Sequence, residues 1–190
     1  ASDKAGLPMV GNLSCRESYS PPERVYDLAR RRGMGMVTIT DHDTIDGAME
    51  LVERGFDDFI VGEEVTVLFP EDGCMLHVLV WGLTPEQHEA IGTLGLRDDV
   101  YQFADWLYEQ QLPHAFAHPL YIQNHRLTLW HVERAALLFK GFEMLNGAHA
   151  GIHRDSLTSW LEALTPARVQ ELAERHELKP RWSRIWMKSH

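Results

Sequence analysis

The chain has 190 residues, of which 44% are hydrophobic and 24% charged; this composition is typical of a globular domain that buries one core, and it excludes an intrinsically disordered chain. The net charge of -10 argues against general binding to nucleic acid or to a membrane surface, because both favour a basic protein face. Only Cys15 and Cys74 are present and no apolar run reaches membrane-spanning length, so we expect a cytoplasmic protein without a disulfide framework or a membrane partner.

Helical and strand patterns alternate along the first half of the chain, which favours a mostly parallel α/β fold. In chain order the patterns predict a helix from Pro22 to Gly33, a strand from Met34 to Thr40 buried on both sides, a helix from Thr44 to Arg54, and strands over Phe59 to Leu68 and Met75 to Trp81. The turn signal Pro70-Glu71-Asp72-Gly73 between the last two strands predicts that they form an antiparallel pair.

The second half continues the alternation and shows no linker or repeat. It predicts a helical stretch from Pro85 that breaks near Gly92, an amphipathic helix over Asp98 to Gln111, a strand over Leu112 to Ala117, a helix over Thr128 to Leu138, a strand over Gly141 to Leu145, and helices over Ser156 to Leu164 and Pro166 to His176. We therefore expect one domain over residues 1–190, either whole or as a fragment of a longer chain.

Polar side chains end or interrupt the predicted strands. They are Asp41, His42 and Asp43 after the first strand, Glu63 and Glu64 in the second, His77 in the third, His118 after the fourth, and Glu143 and Asn146 in the fifth. Functional groups of α/β folds collect at the carboxyl ends of parallel strands, so we expect this set to meet at one edge. Imidazole and carboxylate together suit Zn²⁺, Mn²⁺ or Fe²⁺, with Glu64 able to bridge two ions and Asp41 able to orient an imidazole.

Simpler roles are open for several of these residues. Asp41 and Asp43 could cap the helix that starts at Thr44. Strand alternation sends Glu63 and Glu64 to opposite faces, so one of them is expected in solvent, and His77 could be exposed on the hairpin. Three further histidines lie in polar helical stretches and are expected at the surface: His88, His131 and His176.

Four segments match, in chain order, the motifs of one family. They are Thr40-Asp41-His42, Gly62-Glu63-Glu64, the stretch from His77 to Gly82 that reads H-x-L-x-x-G, and Ala117-His118-Pro119. Together they resemble the PHP (polymerase and histidinol phosphatase) family. The segment from Phe142 to Gly147 looks like that family's later strand with an exposed acid.

This resemblance implies a fold, an activity and a ligand set. The fold would be an incomplete or distorted (β/α)7 barrel with metal ions at the strand C-termini, and the activity would be hydrolysis of small phosphorylated substrates or of nucleotides and DNA ends. His42, Glu64, His77 and His118 would be metal ligands for Mn, Zn or Fe. Apart from the resemblance, the position of Asp41 next to His42 makes it our candidate catalytic residue.

The first and last motifs of the family are missing. At the register of its opening H-x-H strand stand Ser14 and Arg16, unless that strand is absent and Glu17 to Pro21 only leads into the first helix. The closing D-x-H is not found before His190. Either the missing strands lie outside these residues, or the site has decayed and Arg16 repels a second divalent ion.

Three functions follow from these observations. The first is a metal-dependent phosphoesterase-like hydrolase that uses metal-activated water. The second is a non-catalytic PHP-like module for structure or partner binding. The third is C–N bond hydrolysis of the amidohydrolase type, since amidohydrolases use similar ligands on related barrels.

Overall fold

The computed structural model describes residues 20–146 and 151–182, with the side chains of 151–153 left out. Within these ranges the strands form one sheet in the order β1-β2-β3-β4: β1 Thr38–Ile39, β2 Ile60–Leu68, β3 Met75–Trp81 and β4 His114–Phe116. β1 is parallel to β2, and β3 is antiparallel to both of its neighbours. β1, β2 and β4 therefore run in one direction and β3 in the other.

Helices surround this sheet in the described part of the chain. They are α1 Pro22–Arg31, α2 Asp46–Glu53, α3 Pro85–Thr93, α4 Val100–Glu109, α5 Leu129–Leu138, α6 Gly151–Glu162 and α7 Pro166–Arg175, with a short 3₁₀ helix at Leu96–Asp98. Local signals explain several starts: proline opens α1, α3 and α7, and Asp99 caps α4 by accepting hydrogen bonds from two main-chain amides. None of the described helices is both long and apolar enough to cross a membrane.

The β2–β3 hairpin is the centre of the fold, and its predicted antiparallel pairing is confirmed. Its register places Thr66 opposite His77 and Glu64 opposite Leu79. Valines on both strands are fully buried in the main core, which also contains residues of α4 and α5. Burial of these β-branched side chains on a pleated surface stabilises the pair, so the hairpin is a rigid support for the polar residues that it carries.

A second, smaller core packs α1 and α2 against β1. Its buried members are Tyr26, Val37, Ile39, Ala48 and Leu51. This cluster fixes β1 beside β2 although β1 itself is only two residues long. The segment after β1, which carries His42, is thereby held next to the hairpin.

The α/β class is confirmed, whereas a closed barrel is not what the described residues show: they form an open sheet of four strands. The strand predicted over Met34 to Thr40 is present only at Thr38–Ile39, and its expected burial on both sides was wrong, because Thr38 is exposed. Met34 and Met36 are 54% and 72% exposed. The physical reason is a turn after α1, where Arg30 donates hydrogen bonds to the carbonyls of Met34 and Gly35.

The predicted fifth strand, Gly141 to Leu145, is reduced to one parallel bridge between Phe116 and Phe142. Ser14 and Arg16, which stand at the register of the missing H-x-H motif, lie outside the described residues, as does the stretch 183–190. The two explanations for the missing motifs therefore stay open.

Candidate metal centre

Three imidazoles converge on one carboxylate oxygen, Oε1 of Glu64. Nε2 of His118 lies 2.8 Å from it, Nδ1 of His77 lies 3.0 Å away, and Nε2 of His42 lies 3.9 Å away. The imidazoles of His77 and His118 also approach each other, with 3.2 Å between Nδ1 and Nε2. The structure thus brings together all four residues that were predicted to bind metal.

The ladder between β1 and β2 continues past Ile39 and places His42 beside Glu64. His42 and Glu64 form a parallel bridge. The amide of Glu64 donates to the carbonyl of Asp41, and the amide of Asp43 donates to the carbonyl of Glu64, each at 3.0 Å. Main-chain pairing therefore sets the separation of these two candidate ligands.

His77 reaches the same place from a strand that runs the opposite way. It is the third residue of β3, it is 7% exposed, and its carbonyl accepts a hydrogen bond from the amide of Ala117. The alternative of an exposed hairpin histidine was wrong. The antiparallel β3 brings its amino end to the edge where β4 ends, so His77 joins residues that follow parallel strands.

His118 has an unusual backbone conformation. Its φ is +28°, and the next residue is Pro119, which restricts the conformation of the residue before it. The amide of His118 donates to Oε2 of Glu143 at 2.8 Å, and the side-chain amide of Asn146 donates to the same carboxylate. Glu143 thus holds His118 in a sparsely populated conformation of the kind that clusters at functional sites.

The charge state of Glu64 suits a metal ligand. Burial alone would raise the pKa of Glu64. The hydrogen bonds from His118 and His77, together with the interaction with His42, outweigh this effect and lower the pKa to about 2. Glu64 is therefore a carboxylate at neutral pH. Metal binding requires deprotonated carboxylate and neutral imidazole, so an incoming ion would displace the protons that these groups share.

The spacing of the donor atoms fits a metal ion. His42, Glu64 and His77 each offer one ligand atom within 4.8 Å of the others. Around a tetrahedral Zn²⁺ with bonds of about 2.0–2.1 Å, neighbouring ligand atoms are roughly 3.3 Å apart. The distances of 2.8–3.9 Å around Oε1 of Glu64 bracket that value, and imidazole with carboxylate suits Zn, Mn or Fe.

Asp41 and Asp43 do not cap α2, whose N-cap residue is Ile45. The carboxylate of Asp41 points at the first turn of α2, with Oδ2 2.5 Å from the place that a Cβ would take on Gly47. Asp43 accepts a hydrogen bond from the amide of Thr66 at 2.8 Å. The catalytic role of Asp41 stays a prediction.

Glu63 lies on the opposite face of β2 from Glu64 and is 0% exposed. The expectation that one of the two glutamates faces solvent was wrong. Nη2 of Arg97 lies 2.9 Å from Oε1 of Glu63, and Nδ1 of His88 lies 2.7 Å from its Oε2. Burial raises the pKa of Glu63, and the hydrogen bond from His88 lowers it.

Two histidines expected at the surface are buried, since His131 is 3% and His176 is 6% exposed. Each has a carboxylate partner: His131 lies 3.2 Å from Asp72, and His176 lies 2.8 Å from Glu133. The polar pattern of their helices does not reveal these contacts, because each carboxylate lies more than 40 positions away in the chain.

Sequence reasoning missed one polar group near the candidate ligands. Nε2 of Gln123 lies 3.4 Å from Nδ1 of His77. Its loop is held by Asn124, which donates to the carbonyl of Gly73 at 2.8 Å. No periodicity or motif marks Gln123, so only its position four to five residues after Ala117-His118-Pro119 could have drawn attention to it.

No profile of a known protein family matches the chain, and no curated protein matches it in sequence. The solved structures with a similar fold include the following two. One is a candidate metal-dependent phosphoesterase from Bifidobacterium adolescentis, with a TM-score of 0.53, 16% identity and coverage of 84% of this chain and 79% of that one. The other is an amidohydrolase from Chromobacterium violaceum with bound sulfate and no metal, with a TM-score of 0.52, 16% identity and coverage of 83% and 78%. At this identity the likeness is one of fold.

Proposed function

We propose that this protein is a metal-dependent hydrolase of the phosphoesterase kind. The observation that carries the proposal is the convergence of His42, His77 and His118 on Oε1 of Glu64 within 2.8–3.9 Å. Imidazole nitrogens and a carboxylate oxygen gathered at one partly buried point, where His42 is 30% and Glu64 14% exposed, are the ligand types that Zn²⁺, Mn²⁺ and Fe²⁺ take. The fold shared with a candidate metal-dependent phosphoesterase supports the same conclusion.

When bound, a divalent ion polarises a phosphoryl oxygen and lowers the pKa of water toward neutrality. Residues of the chain would hold the ion and orient the groups around it. Glu64 supplies the negative charge, Glu143 fixes the orientation of His118 through its amide, and Gln123 offers an amide beside His77 to a polar group of the substrate. Asp41, whose carboxylate lies against the first turn of α2, is proposed to position an imidazole or a water.

The number of protein ligands bears on which metal would be catalytic. Four protein ligands complete a tetrahedral zinc site and leave no open position, as in structural zinc sites. Mn²⁺ or Fe²⁺ with higher coordination would keep positions for water and substrate. A zinc-loaded, inactive protein would therefore favour the non-catalytic module, and Mn²⁺-dependent turnover would favour the hydrolase.

The resemblance to the PHP motifs supports a small phosphorylated substrate and a distorted (β/α)7 barrel of which the open sheet would be a part. C–N bond hydrolysis is the second candidate, because the second similar fold is that of an amidohydrolase. Parallel panels of phosphate esters and amides separate the two reactions.

The test is metal analysis of the purified chain, followed by hydrolysis of an aryl phosphate with Mn²⁺. We expect about one bound ion and turnover that His118→Ala abolishes. His176→Ala is the matched control, because His176 has the same 2.8 Å contact with a buried glutamate outside this cluster. Less than one ion and no turnover would remove the catalytic proposal.

A further inference from the structure

One arginine connects the sequence neighbours of two candidate ligands. Arg97, in the 3₁₀ helix Leu96–Asp98, pairs through Nη1 with Asp43 and through Nη2 with Glu63. Asp43 follows His42 in the chain, and Glu63 precedes Glu64. A single planar guanidinium therefore spans the two segments from which His42 and Glu64 project.

Asp43 fixes the backbone directly after His42. Its φ is +57°, a conformation that non-glycine residues seldom adopt. Its carboxylate accepts from the amide of Thr66 at 2.8 Å, and its amide donates to the carbonyl of Glu64 at 3.0 Å. The ion pair with Arg97 adds a third contact that stabilises this turn.

Glu63 is the second carboxylate that pairs with Arg97. It is 0% exposed, and both of its oxygens are used, one by Arg97 and the other by His88. A buried carboxylate of this kind is stable only when it is paired, and it fixes the position of its partner in return. Arg97 is therefore held rigidly on one side while it holds Asp43 on the other.

We propose that Arg97 is a positioning residue of the metal centre, and that the ligand it positions is His42. His42 is the outermost of the three imidazoles, 3.9 Å from Oε1 of Glu64 against 2.8 and 3.0 Å for the others. It is carried by a segment outside the hairpin, so it depends most on the turn at Asp43. The inference rests on the proposed metal-dependent function.

The experiment titrates the full chain with Co²⁺ and follows both affinity and the visible absorption of the bound ion. Arg97→Met should weaken Co²⁺ binding about 10-fold, the lower end of the range for direct partners of metal ligands, because Arg97 contacts only their chain neighbours. It should also change the spectrum. Asp43→Asn should act in the same direction. It keeps an acceptor for the amide of Thr66, and the side chain of Asp43 is 41% exposed, so the variant should fold.

Arg175→Met is the matched control. Arg175 also pairs with a buried glutamate, Glu133, which is likewise bound to a histidine, but it does so between α5 and α7. It should lower stability without moving the affinity for Co²⁺ by more than about twofold. Equal loss of affinity in Arg97→Met and Arg175→Met would mean that Arg97 acts only through general stability, which would overturn the proposal.

A double-variant comparison tests the link to His42. In a His42→Ala background, Arg97→Met should cause no further loss of affinity, because coupled residues do not act additively. Additive losses would overturn the role assigned to His42. A wild-type chain that binds no Co²⁺ would overturn the metal centre itself, whereas binding that Arg97→Met and Asp43→Asn leave unchanged would overturn only the positioning role.

Discussion

Nε2 of His118 lies 2.8 Å from Oε1 of Glu64, although the two residues are 54 positions apart in the chain. Both side chains are largely buried, with 9% and 14% of their surface exposed. This contact joins the end of β4 to the middle of β2 across the intervening β3. An ion bound at this point would take the place of the shared proton between the two groups.

Replacement of His118 should separate metal binding from stability. We expect His118→Ala to weaken binding of Mn²⁺ or Zn²⁺ by at least about 100-fold, the upper end of the loss for outer-shell partners, because a candidate ligand itself is removed. His176→Ala should lower the melting temperature and leave the affinity unchanged. Isothermal titration calorimetry measures the affinity, and a His118→Ala protein that still holds stoichiometric metal would contradict the assignment.

The low pKa of Glu64 predicts how the stability of the metal-free protein depends on pH. The pKa is about 2 in the folded state against 4.5 for the free group. The carboxylate therefore contributes stability that is complete above pH 4.5 and is lost as the pH falls toward 2, at most about 3 kcal/mol. Wild type and Glu64→Gln should differ most above pH 4.5 and converge in acid.

Urea unfolding between pH 2.5 and pH 6 measures this difference. Glu89→Gln, which changes an exposed glutamate in α3, serves as the control and should run parallel to wild type. A constant difference between wild type and Glu64→Gln across this range would show that the carboxylate is not stabilised by its imidazole neighbours.

For stability and metal binding, the hydrogen-bond acceptor oxygen of Glu143 should matter more than its negative charge. In Glu143→Ala the amide of His118 loses its acceptor, and we expect a loss of about 1.5–3 kcal/mol in the free energy of unfolding, together with weaker metal binding. Glu143→Gln keeps an acceptor oxygen and should recover most of both. Chemical denaturation and metal titration of the two variants test this, and equal behaviour of alanine and glutamine would refute it.

Gly62 lets β1 approach β2 closely. A Cβ at this position would lie 2.6 Å from Oγ1 of Thr38 and 3.1 Å from the carbonyl oxygen of Ile39. Gly62→Ala should therefore push the two strands apart, cost about 1–3 kcal/mol and weaken metal binding by moving His42 away from Glu64. Gly92→Ala, which would meet no atom within 4 Å in helix α3, should instead stabilise by roughly 0.5–1 kcal/mol.

The candidate ligands could be predicted because each breaks an apolar run. His77 and Glu64 interrupt valine-rich strands, and His42 and His118 lie shortly after the apolar residues that end β1 and β4. A polar group in such a position must find a partner in the core, and this constraint is visible in the sequence. The hairpin was visible for a similar reason, since its turn carries proline and glycine between two apolar strands.

Partners that lie far away in the chain could not be predicted. Arg97 belongs to three residues of 3₁₀ helix without any periodic pattern, and its contact with Asp43 spans 54 positions. One of Glu63 and Glu64 was expected in solvent, because alternation specifies the face of a strand but not what covers that face. Here α3 and the 3₁₀ helix cover it, with His88 and Arg97 as its hydrogen-bond partners.

The β2–β3 hairpin carries two of the four candidate ligands. Glu64 and His77 are 13 positions apart on two strands joined by a short turn, and hairpins of this kind form in about 1–10 μs. His42 and His118 must instead be brought in by longer loops, whose closure costs more entropy. We expect two of the four candidate ligands to be in place early in folding, so that an ion bound there could act as a template on which the remaining two imidazoles close.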